Sequence, residues 1–132
     1  MQRQVLVVGI AFAIVARRSR EQLLVNGRAN RREDGLPREN DAIDLKPAVK
    51  LFTPDANCTW LLTELDPDEP TEAFGLCDLG LGCPELGCVS LSELESVRGP
   101  LNLPVERDLY FVADKTISAY AAEARRFGYI KA

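Results

Sequence analysis

The sequence predicts a small α+β domain: an antiparallel β-meander, a short helix after its fourth strand, and a C-terminal helix. Three observations predict it. Between residues 50 and 89, short runs of β-forming residues alternate with Pro, Gly and Asp turns. At Ser90 the apolar period changes from two to about 3.6. After Ser118 a second helical run ends at Gly128.

The elements follow in order. Lys50-Leu51-Phe52 begins an extended piece that Pro54-Asp55 stops, both residues being turn formers. Asn57–Leu65 alternates Cys58, Trp60, Leu62 and Glu64 with Thr59, Leu61, Thr63 and Leu65, the pattern of a strand with one more polar face. The acidic turn 66–70 leads to a second arm, Ala73–Leu79. Gly80, Gly82 and Pro84 break the chain before a short strand, Glu85–Val89. Short connections imply antiparallel neighbours. Ser90 and Glu93 form a capping box, and Leu91, Leu94 and Val97 share one helical face until Gly99-Pro100 ends it. Asp108–Val112 reads as a last strand. Ser118 is expected to cap the final helix, with Arg125 and Arg126 at its negative end.

Composition divides the chain. Residues 1–48 carry a net charge of +3 and residues 49–132 a net charge of −7, for −4 overall. Eight of the nine aromatic residues lie after residue 48. The first part is therefore read as an extension, largely irregular, and residues 49–132 as a single domain. The apolar run Val5–Ala16 rises only about 18 Å as a helix, short of the ~30 Å hydrocarbon core, so neither a membrane span nor a secretion signal is expected there. Residues 21–47 have few large apolar side chains and are expected to be disordered or to precede the natural start, which is then read at Val49.

Several function classes are excluded. There is no histidine, which removes Ser-His-Asp triads, Cys-His pairs and His-ligated metals. The net negative charge argues against direct nucleic-acid binding. The chain has no P-loop, no dinucleotide glycine pattern and no nucleophile elbow.

The candidate chemistry is sparse. Cys58, Cys77, Cys83 and Cys88 lack a C-x2-C knuckle and are read as reduced thiols in a cytoplasmic protein, with neither metal nor cofactor. Glu64 with Asp66, and Glu106 with Asp108, are i, i+2 pairs; on adjacent strands they could gather to hold Mg²⁺ or Mn²⁺ in a small hydrolase or nuclease. Trp60, Arg98 and Arg107 are candidate partner-binding residues, set against core packing for Trp60 and structural ion pairs for the arginines. Exposed sheet edges leave a homodimer open.

Residues 50–66, Lys-Leu-Phe-Thr-Pro-Asp-Ala-Asn-Cys-Thr-Trp-Leu-Leu-Thr-Glu-Leu-Asp, resemble the opening of a small bacterial family, domain of unknown function 2958. Phe74-Gly-Leu76, Glu85-Leu-Gly87, the run Ser90–Pro100 and the run Leu103–Phe111 continue the resemblance, which covers 49–127 and leaves 1–47 unmatched. It implies an accessory protein of plasmids and other mobile elements; with the −7 charge of residues 49–132, the chain is expected to be a non-enzymatic interaction module that meets basic surfaces of an unidentified protein partner. The resemblance carries over no catalytic residue. Cys58 and Cys88 depart from the family pattern.

Overall fold

The computed structural model describes residues 17–38 and 42–132; the Val5–Ala16 run lies outside them. The described chain runs α1 (Arg17–Ala29), β1 (Val49–Phe52), β2 (Thr59–Leu65), β3 (Glu72–Asp78), β4 (Glu85–Ser90), α2 (Leu91–Ser96), β5 (Glu106–Arg107) and α3 (Ile117–Phe127). The strands form one antiparallel sheet in the order β4-β3-β2-β1-β5. The predicted α+β meander is therefore the fold.

Alternation along β2 divides the core. Trp60, Leu62 and Leu65 face a cluster containing Leu23, Val49, Leu51 and Leu94. Leu61 and its ladder partner Leu76 face the other way, against Ile117, Tyr120, Ala121 and Ala124 of α3. Both faces of β2 are thus covered, and its burial is nearly continuous.

The composition break at residue 48 is not a break in packing. Among the described residues, the first 48 are irregular apart from α1, but α1 lies against β2 and its Leu23 is fully buried. The face it turns inward is Leu23, Asn26, Gly27 and Asn30, an i, i+3, i+4, i+7 stripe made mostly of polar and small residues. Asn26 donates to the main-chain oxygen of Thr63 at 2.7 Å, where the β2–β3 register shifts between Leu62 and Glu64. A Cβ on Gly27 would stand 1.9 Å from the Leu65 oxygen, so only glycine permits this approach. The chain then crosses to the opposite face. Asp44 accepts from the Ser118 amide (3.1 Å) and hydroxyl, and Leu45 O accepts from Ile117 N at 2.8 Å.

That crossing corrects one predicted cap. Thr116, not Ser118, is the N-cap residue of α3, and its side chain makes no capping bond. Asp44, distant in sequence, supplies the carboxylate instead, which also suits the positive end of the helix. The other end is as expected: Arg125 and Arg126 in the last turn, and Gly128 at φ 79°. Ser90 caps α2 and accepts from Glu93 N at 3.4 Å.

The last strand is also displaced. Only Glu106–Arg107 pairs, with Phe52 and Leu51 of β1. Asp108 turns the chain away because its carboxylate accepts from Tyr110 N at 2.9 Å, an Asx-type turn. Tyr110, Phe111 and Val112 are β-formers, but past this turn residues 109–112 pair with no strand.

Gly27→Ala tests the helix–strand approach. Alanine is intrinsically about 1 kcal/mol the better helix former, yet the methyl meets a backbone carbonyl that cannot rotate aside. A net loss of roughly 1–3 kcal/mol in urea unfolding is expected; a gain in stability would show that the helix does not pack this closely.

Candidate functional site

The four candidate carboxylates do not converge. Glu64 lies opposite Phe74 near one end of β2. Glu106 pairs with Phe52, which pairs with Thr59 at the other end of β2, about five residues or 17 Å away along the strand. β1 separates the two strands. Among the described residues no group of three or more Asp, Glu or Cys is arranged to hold a metal ion.

Each carboxylate has a local setting. Asp66 accepts from Arg31 at 2.5 Å and from the Asp68 amide at 2.9 Å, which organises the acidic turn. Asp108 closes its own turn and lies 3.6 Å from Lys50 Nζ. Glu106 is exposed. Glu64 accepts from Asn30 Nδ2 at 3.0 Å. Burial raises the Glu64 pKa, against the lowering effect of the Asn30 bond and of Arg31.

The three candidate binding residues are also accounted for by the fold. Trp60 is 3% exposed and packs in the core, so it is no surface anchor. Arg98 donates to the carbonyls of Glu95 (2.7 Å) and Val97 (2.8 Å) at the end of α2. Arg107 donates to Ser19 Oγ at 2.6 Å and ties β5 to α1, while its Nε is buried without a partner.

Several clefts open on the sheet, one of about 470 Å³ between the start of β4 (Glu85, Leu86) and Arg125 of α3, and two that involve candidate carboxylates. The larger, about 850 Å³, is lined by Lys50, Phe52, Asn57, Asp78 and Tyr129 among others. Its principal charged groups already serve the fold. Lys50 donates to the Ala132 main-chain oxygen at 2.6 Å. Buried Asp78 accepts from Gly80 N (2.9 Å) and Ile130 N (3.0 Å), joining the β3–β4 turn to the C-terminal tail. The smaller cleft, about 300 Å³, brings Glu64, Asp66, Phe74 and Cys88 together under Arg31 and Pro37. Desolvation, reinforced by Glu72, Asp66 and Glu64, raises the Cys88 pKa. Cys77 is pushed to about 11, chiefly by desolvation. These two thiols are therefore protonated near neutral pH and poor nucleophiles. All four cysteines are unpaired.

What sequence reading missed is an apolar loop. Leu109, Tyr110 and Val112 are 75%, 92% and 86% exposed, whereas Phe111 turns inward against Tyr120, with ring centroids 6.4 Å apart. The loop is held at both ends. Asp108 closes its start; at its end, Tyr120 Oη donates to Asp114 (2.9 Å) and accepts from the Asp114 amide (3.2 Å). Lys115 Nζ sits 4.7 Å from the Tyr120 ring centre. The sequence signal was present, as four consecutive apolar residues, but it is the same signal that predicts a strand.

A small α+β domain with an apolar loop held at both ends is the class of protein these features define. The chain belongs to the family described as "Protein of unknown function (DUF2958)", whose model matches residues 14–131. The match includes α1 and the crossing segment, and so begins well before the resemblance seen from residue 49. No curated protein and no solved structure matches the chain. Among the described residues no helix is long and apolar enough to cross a membrane.

Two outcomes check the electrostatics. Folded Glu64 binds its proton more tightly than an unfolded glutamate does, so it favours the fold in acid and opposes it once pH rises through its raised pKa. Glu64→Gln is therefore expected to be more stable than wild type at pH 7, with the difference vanishing below the ordinary glutamate value of 4.5; a variant less stable at pH 7 would contradict the desolvation account. In iodoacetamide labelling at pH 8, read by peptide mass spectrometry, Cys77 is expected to react far more slowly than exposed Cys83. Equal rates would contradict its burial.

Proposed function

We propose that the chain is a non-enzymatic protein-interaction module that docks a partner through Leu109, Tyr110 and Val112. The single observation behind this reading is that the loop is both apolar and held in place. Tyrosine and aliphatic side chains at such exposure are costly to leave in water, and large aromatic anchors dominate interface energetics. A loop fixed by Asp108, Phe111 and Asp114 loses little further entropy on binding.

The chain carries a net charge of −4, and Glu106, Asp108 and Asp114 flank the loop, which supports a basic surface on the partner. A bacterial, cytoplasmic protein encoded on a plasmid or other mobile element is the setting that goes with this reading, on the strength of the family resemblance. The unpaired thiols agree with a reducing compartment. No observation favours the alternative of a metal-dependent hydrolase, because Glu64 and Asp66 lie apart from Glu106 and Asp108.

The test compares full-length wild type with the variant Leu109→Ser, Tyr110→Ser, Val112→Ser as baits in a bacterial host lysate. Exposed substitutions should leave thermal stability within about 0.5 kcal/mol each. Wild type is expected to retain a specific protein at low salt, with retention reduced at high salt and lost in the variant. Identical proteins retained by both baits would overturn the reading.

A further inference from the structure

We infer that the chain forms a two-fold homodimer by antiparallel pairing of β4 with β4 of a second copy. β4 is the last strand of the sheet, and among the described residues no backbone bond reaches its outer edge. It runs six residues, Glu-Leu-Gly-Cys-Val-Ser, without a lysine, an internal proline or a bulge against β3. Those are the devices that ordinarily keep an edge strand from pairing. By contrast the opposite edge, β5, is only two residues long.

The occupant is a second copy because this strand is compatible with itself. A two-fold axis normal to the sheet keeps each face on its own side, so paired residues must have the same parity. Centring the axis on Gly87 satisfies this. Leu86 then lies opposite Cys88 of the second copy, and Cys88 opposite its Leu86. Both side chains are exposed, Leu86 at 36%, and both lie on the α3 face with Leu76 and Phe74. The pairing covers four such side chains at once. On the other face, a Cβ at Gly87 would meet nothing within 4 Å, so nothing there obstructs a second strand.

Charge does not oppose the pairing. Glu85 is the only charged residue in β4, and it falls opposite Val89. The two Glu85 residues are then about four residues or 14 Å apart along the strands, beyond the ~8 Å Debye length at physiological salt. The dimer is a continuous ten-stranded sheet. Because β4 and β5 are opposite edges, it leaves the Leu109–Val112 loop free in each copy. The inference does not depend on that loop's role, but it makes any docking by it bivalent.

Sedimentation equilibrium of the full chain over about 1–100 µM tests it, since a dimer must be concentration-dependent. Wild type is expected to approach twice the chain mass. Leu86→Lys, a surface change that places two charges in the interface by symmetry, is expected to weaken association at least tenfold, with the melting temperature unchanged at the dilute end of the range, where both proteins are monomeric. Cys88→Arg, also exposed, should do the same. Amide exchange read by NMR should show β4 amides protected in concentrated wild type and not in Leu86→Lys. A wild type monomeric throughout would overturn the inference. So would a dimer unaffected by both substitutions, a dimer broken by Tyr110→Ser instead, or β4 protected only by an added foreign strand. Loss of partner docking in the triple loop variant alone leaves this result unchanged, so the two readings fail separately.

Discussion

The contact between α1 and β2 is the constraint on which the rest of the structure depends. β2 shifts register between Leu62 and Glu64, and the Thr63 carbonyl at that irregularity is taken by buried Asn26. Such a carbonyl, buried and unsatisfied, costs about 1–3 kcal/mol. Gly27 lets the helix come close enough for Asn26 to reach it. One turn further on, Asn30 donates to Glu64 and accepts from the Ile43 amide at 2.7 Å, so the helix also fixes where the following segment goes. That segment carries Asp44 and Leu45 to the other face, where they organise the start of α3. A single helix–strand contact thereby coordinates both layers of the sheet and shapes the smaller cleft beside Glu64.

The same economy explains why the site candidates dissolve into structure. Asp66, Asp78, Asp108, Arg98 and Arg107 each hold a turn, a tail or a helix end. Asp55 belongs with them: it accepts from Leu101 N at 2.7 Å and lies so close to Gly99 that a Cβ there would have to displace its carboxylate. In a domain with short strands, loops are fixed by side-chain carboxylates where the sheet cannot reach. Among the surfaces left uncommitted are the apolar Leu109–Val112 loop at one side of the sheet and the β4 edge at the other. Both are surfaces for contact rather than for bond-making.

The meander, the α2 cap and the Gly128 stop were legible because each rests on a local rule: alternation, a hydroxyl three residues before a free amide, a residue tolerant of positive φ. The packing of α1 was not. Its inward face is Leu23, Asn26, Gly27 and Asn30, and a search for apolar periodicity passes over asparagine and glycine. Their burial makes sense only beside the irregular backbone of β2. Leu109–Val112 failed in the opposite way. Its pattern suits a strand, but a strand needs a neighbour, and Asp108 had already turned the chain away from β1.

The sequence by itself determined the class of fold, the order of its strands along the chain and the absence of histidine chemistry. These follow from periodicity, turn residues and composition, which act within a few residues. Tertiary structure alone decided that the first part of the chain packs with the second, that Asp44 caps a helix more than seventy residues away, and that the carboxylates stay apart. Those outcomes depend on which hydrogen-bonding groups and edges are left over once the sheet has formed, and such remainders exist only in three dimensions.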